Sequence, residues 1–269
     1  MLSVIMAFID CHFSSEALGI ATALYAVIPQ PAAGQIGMTT RGRRSGRYPV
    51  LYLLHGLSDD HTIWMRRTSI ERYAAERGIA VIMPAAGRSF YQDMAAGPRY
   101  WTHISEEVPR LARSLFPLSD RREDTYVAGL SMGGYGAFRM ALDRPDRYAA
   151  AGSFSGAVDV AERGRRVDQS TVFGRVEMEW MFGRGRKIAG TEVDLFHLAR
   201  RVARSRGAKP RLFQYCGTAD FLYADNLRFR DHAQRLKLDV TFRENDGNHG
   251  WAWWDEQILA FLKWIIKQD

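Results

Sequence analysis

Apolar residues fall along the chain in short unbroken runs, and stretches with helical spacing separate most of them. Runs of four to eight apolar residues bounded by turn signals read as buried strands. Tyr48 to His55 (YPVLYLLH), Ile79 to Pro84, Asp124 to Leu130, Tyr148 to Phe154, Arg211 to Gly217 and Asp239 to Glu244 fit that description. Helical spacing fits Ser69 to Arg77, Ser131 to Leu142, Val193 to Arg204, Tyr223 to Leu236 and Trp251 to Ile266. Arg99 to Phe116 has it too, but Pro109 inside the segment predicts a break or kink. Near the start, Met1 to Ile9 and Leu18 to Ile28 are rich in β-formers, and Ser14 to Gly19 between them resembles a connecting turn. They read as a β-hairpin at a sheet edge. Strands alternating with helices imply right-handed crossovers and a mostly parallel sheet. With the hairpin, the expectation is one α/β domain over residues 1–269, with eight strands and helices on both faces. Ser155 to Arg206 breaks the alternation. Its central part, 157–190, reads as a cap-like insert over the sheet.

Composition narrows the class. At 269 residues, 46% hydrophobic and 25% charged, the chain has the balance of an ordinary globule. That excludes disordered, collagen-like and coiled-coil chains. The two cysteines, Cys11 and Cys216, are too few for a disulfide framework and not spaced as a metal site. A reducing, cytoplasmic setting is the simpler expectation. The apolar start lacks a signal peptide's basic region, because no Lys or Arg precedes Arg41, and Met6 is a second candidate start. Neither apolar segment of the hairpin is long enough to span a bilayer, so no membrane partner is expected. The net charge of +7 opens a polyanion reading. Yet the arginines are scattered, from the Gly- and Arg-rich loop Gln35 to Arg47 to Arg200–Arg206, and form no dense run. No nucleic-acid partner is expected.

The candidate chemistry starts at Gly129-Leu130-Ser131-Met132-Gly133, a G-x-S-x-G match. A strand precedes it and a helix rich in small residues follows, the context a nucleophile elbow requires. A serine hydroxyl needs a base to take its proton. Of the seven histidines, His249 lies in the loop between the last strand and the last helix. A parallel sheet puts such loops at the carboxyl ends of its strands, where Ser131 also lies. The base needs a carboxylate to orient it. Asp220 follows its strand through Gly217-Thr218-Ala219; Asp225 is the nearest competitor, and Asp246 is too close to His249 in the chain. An oxyanion needs backbone N–H donors. Met132 supplies one, and Leu57 in His55-Gly56-Leu57 is the candidate for the other. His55, Trp180 and Trp251 are candidate pocket residues. Trp180-Met181-Phe182 either lines a cleft or pins the insert to the body.

Four segments then become specific together: LLHGLSDDHTIW (53–64), AGLSMGGYGAF (128–138), CGTADFLYADN (216–226) and GNHGWAWW (247–254). They resemble the esterase D and S-formylglutathione hydrolase group of α/β-hydrolases. Tributyrin-esterase and feruloyl-esterase-like proteins are the nearest branch, and mycolyltransferases are more distant. The chain order Ser131, Asp220, His249 is that of α/β-hydrolases. The resemblance implies those three residues as a triad, the Leu57 and Met132 amides as the oxyanion hole, and no cofactor or metal. The expected function is a serine carboxylesterase acting on short-chain esters, with acylated sugars, feruloyl esters and S-formylglutathione within its range. A small-molecule ester or thioester is the expected partner. Acyl transfer to a sugar or lipid, and polyanion binding on a hydrolase scaffold, are the alternative functions. The oligomeric state stays open, with a homo-oligomer admitted.

Overall fold

The structure, a computed structural model, describes residues 3–32, 46–162 and 172–266. Most of the Gly- and Arg-rich loop and part of the expected insert, including Arg163 to Arg166, lie outside those residues. Eight strands form one sheet in the order β1-β2-β4-β3-β5-β6-β7-β8. β1 (Ser3–Ser15) and β2 (Ile20–Ala32) are the expected hairpin. β2 then pairs antiparallel with β4 (Ala80–Pro84). The remaining pairs, through β3 (Val50–Leu54), β5 (Thr125–Leu130), β6 (Ala150–Phe154), β7 (Arg211–Tyr215) and β8 (Val240–Arg243), are all parallel.

The central strands are apolar throughout because helices cover both faces. Along β3 the side chains alternate between two cores. Val50, Tyr52 and Leu54 join one, and Leu51 and Leu53 join the other. Two short helices follow β3, α1 (Ile63–Arg67) and α2 (Ile70–Arg77). Tyr100–Thr102 (α3) runs into a five-residue π turn, His103–Glu107, and then into α4 (Val108–Leu115). Thus Pro109 does not end the helix. It sits in the first turn of α4, and the Ser105 carbonyl that its missing N–H cannot reach accepts from Arg147 Nη1 at 3.3 Å.

The π turn also holds the hairpin. Glu107 accepts hydrogen bonds from the Glu16 N–H (2.8 Å) and the Ser15 hydroxyl, and His103 Nδ1 meets the same carboxylate at 2.6 Å. The turn itself closes on Gly19, at φ 70°. Further helices in the layers are α5 (Met132–Asp143), α6 (Val172–Phe182), α7 (Leu195–Arg204), α8 (Tyr223–Arg235) and α9 (Trp251–Ile265). The α6 helix is fixed at its end. Its Met181 and Phe182 are buried, and the carbonyls of Trp180 and Met181 accept from the Ala96 and Ala95 N–H groups. Among the described residues no helix is long and apolar enough to cross a membrane.

Just past β3, His55 is buried, and both of its ring nitrogens have backbone partners. Nε2 accepts from the Ala86 N–H at 2.9 Å, so Nδ1 carries the proton and donates to the Gly56 carbonyl at 2.7 Å. Burial lowers its pKa to about 4, so the ring is neutral. The folded chain therefore binds fewer protons here than the unfolded chain, whose histidines titrate near ~6.5. The stability this contributes is fully present above that pH and is lost as pH falls toward about 4. Urea unfolding at pH 7.5 and pH 4.5 checks it. The wild type should lose about 2.5 kcal/mol more than His55→Asn over that interval; parallel losses would refute the assignment.

Candidate active site

The turn after β5 is shaped by three backbones in close contact. A Cβ on Gly133 would lie 2.4 Å from the Leu54 carbonyl oxygen, and one on Gly129 would lie 2.5 Å from the Gly133 backbone. Only glycine fits at either position. Between them Ser131 is forced to φ 51°, ψ −116°, a strained conformation for a residue with a side chain. Its N–H donates to the Phe154 carbonyl at 2.9 Å, and its carbonyl accepts from the Ala157 N–H at 3.0 Å. Ser131 is half-buried at the N-terminus of α5. The Met132 N–H donates to no group among the described residues, and neither does the Leu57 N–H. The Gly56 turn lies against this elbow, since a Cβ on Gly56 would meet Leu130 Cδ1 at 2.7 Å.

Two further loops meet at the same edge. Pairing of β7 with β8 continues past the strands: Cys216, Thr218 and Ala219 donate backbone hydrogen bonds to Arg243, Asn245 and Gly247 at 3.2, 2.8 and 3.0 Å. The approach at Gly217 admits no side chain, because a Cβ there would sit 2.0 Å from the Gly247 oxygen. This pairing carries Asp220 and His249 into contact, with Nδ1 to Oδ2 at 2.8 Å. Burial opposes charge on Asp220. Hydrogen bonds from His249, the Leu222 N–H (2.8 Å) and the Ser155 hydroxyl outweigh it and hold the carboxyl below its ordinary range. An ionised Asp220 fixes a proton on His249 Nδ1, and Nε2 is the ring nitrogen not engaged by the carboxylate. His249 and the Ser131 hydroxyl are not hydrogen-bonded to each other.

The competitor Asp225 faces elsewhere, paired with Arg228 at 2.6 Å. His55 has no nitrogen left for a ligand. Trp251 packs edge-to-face between Trp64 and Trp254, at 5.2 Å from each. Trp180 is 53% exposed. Two neighbours of the site are not singled out by the sequence reasoning. Phe221, 69% exposed, lies 4.6 Å from the His249 ring, with Trp254 at 4.9 Å. Ser155, at φ 49°, accepts from Trp254 Nε1 at 3.1 Å. Its place at the carboxyl end of β6 is the one signal that could have found it. Among the described residues no group of three His, Cys, Asp or Glu side chains is placed to hold a metal ion.

Comparison with known proteins places the chain in a family. The model of a family described as putative esterase matches residues 39–265. An acetyl esterase of Caldicellulosiruptor saccharolyticus is 27% identical over 265 residues, 97% of this chain and 99% of its own. Among solved structures, the fluorophosphonate-binding serine hydrolase FphF of Staphylococcus aureus, with substrate bound, is 34% identical. It superposes with a TM-score of 0.87 over 98% of this chain and 100% of its own. The S-formylglutathione hydrolase FrmB of the same organism, an apoenzyme, is also 34% identical, with a TM-score of 0.84 over 97% and 99%. The chain therefore belongs to the putative esterase family and is an enzyme, a serine hydrolase with the α/β-hydrolase fold.

Proposed function

We propose that Ser131, His249 and Asp220 form the catalytic triad of a carboxylesterase for short-chain acyl esters. The observation that carries this is the 2.8 Å bond from His249 to Asp220, held at the same sheet edge as a serine on a strained elbow. In this mechanism His249 Nε2 takes the Ser131 proton as Oγ attacks the acyl carbonyl carbon. The carbonyl π electrons move onto oxygen, and the unengaged N–H groups of Leu57 and Met132 stabilise that oxyanion. The intermediate collapses, the bond to the leaving alcohol breaks, and that alcohol takes the proton from His249. Water, deprotonated by His249, then attacks the acyl-enzyme; the bond from the acyl carbon to Oγ breaks, His249 returns the proton to Ser131, and the acid leaves. Asp220 stays ionised throughout and stabilises the imidazolium. A short acyl group is supported by the acetyl esterase relative, which aligns over almost its whole length.

Hydrolysis of p-nitrophenyl esters from acetyl to octanoyl, with a feruloyl ester, acetylated sugars and S-formylglutathione alongside, tests the substrate class. Turnover should be highest for the acetyl and butyryl esters, and a clear preference for octanoyl, feruloyl or the thioester would overturn that part. Ser131→Ala should lower kcat by at least roughly 10³-fold, and undiminished turnover would remove the serine from the mechanism.

Asp220→Asn should cost up to roughly 10⁴-fold in kcat, by analogy with other triads, and Asp225→Asn little. The reverse pattern would transfer the carboxylate role to Asp225.

A further inference from the structure

A second concavity, of about 400 Å³, lies between α5, the segment after β4 and the end of α6. That volume is within the range of small-molecule sites, roughly 300–1,000 Å³. Ser131, Met132, Asp220 and His249 do not line it. Its walls are Trp101, Met181, Phe182, Ile188 and Val193, with Arg139 among them.

Arg139 is the unusual member. It is 4% exposed and has no carboxylate within ion-pair distance among the described residues. Its hydrogen bonds leave from Nη1 alone, to the Tyr91 carbonyl and Gln92 Oε1, each at 2.7 Å. Nε is buried without a partner, and Nη2 donates to nothing among the described residues. Of these two donors Nε has no open surface, so Nη2 is the unengaged N–H group that an oxyanion can reach. The Trp101 ring lies 3.8 Å from the Arg139 guanidinium carbon and backs its flat face. Burial lowers the Arg139 pKa, and the acids around it do not restore it.

Two of the three acids at the rim are paired with arginines. Asp143 pairs with Arg144 at 2.5 Å and with Arg201 at 2.8 Å. Glu192 pairs with Arg186 at 3.2 Å. Asp93 is exposed, and its two oxygens accept from the Thr102 N–H and hydroxyl. Arg139 is the lining cation that no carboxylate reaches within ion-pair distance among the described residues.

We propose that this cavity binds a small organic carboxylate, with its carboxylate on Nη2 of Arg139 and its apolar body between Trp101, Met181, Phe182 and Ile188. The site is separate from Ser131 and does not depend on the function proposed for it.

Titration calorimetry of the full chain with hexanoate tests this. Hexanoate should bind saturably, and hexanol, with the same body and no charge, should not. Arg139→Gln should weaken hexanoate at least roughly tenfold. Ile188→Trp fills the cavity from a half-buried rim position, leaves Arg139 in place and should remove the same binding equivalent. That second variant carries the test if Arg139→Gln fails to fold. Absence of binding to the wild type, equal binding of hexanol or of inorganic sulfate, or unchanged binding in Ile188→Trp would overturn the proposal.

Discussion

The contact between Gly133 and the carbonyl end of β3 governs the arrangement at the sheet edge. With the glycine Cα against the Leu54 and His55 oxygens, α5 starts closer to the sheet than any side chain would allow. Ser131 must then turn through a conformation with positive φ. The Met132 N–H and the 55–57 turn come to the same place for the same reason. His55 secures that turn from beneath through the Gly56 carbonyl and the Ala86 amide, and its own carbonyl accepts from the Tyr91 hydroxyl at 2.9 Å. The elbow is thus set by backbone exclusion more than by any hydrogen bond of the serine side chain.

Much of this was legible in the sequence because a parallel sheet makes a simple promise. Loops after its strands gather at one edge, so Ser131, Asp220 and His249 could be grouped without knowing any distance. The central strands were legible because burial on both faces leaves them continuously apolar. Other features depend on partners far along the chain. The π turn before Pro109 works because Arg147, from another element, takes over the carbonyl that the proline abandons. The role of His55 depends on Ala86, and Ser155 matters through Trp254 and Asp220. Helix α1 is five residues long, too short for a periodic signal, and α6 follows a stretch with no clear pattern.

The positive charge of the chain takes on a local meaning in the structure. Arg88, Arg121, Arg144, Arg147, Arg201 and Arg228 each bond to a carboxylate, and several of these pairs join separate elements. Arg88 ties the segment after β4 to α6 through Glu177, and Arg228 ties α8 to Asp159. Individually such exposed pairs contribute little, about 0–1 kcal/mol. Arg139 stands apart from this set, buried with its guanidinium on Trp101.

The pairing that brings Asp220 to His249 sits at the β8 edge of the sheet. There the strand is four residues long, and none of its side chains is fully buried. Ser131, by contrast, is anchored between β5 and β6, whose side chains are buried throughout. Cooperative opening of native proteins starts where burial is least. The β8 edge would therefore detach as a unit while the centre of the sheet persists, taking the histidine and the aspartate with it. Under the triad proposed above, the ability to react would be lost before the fold.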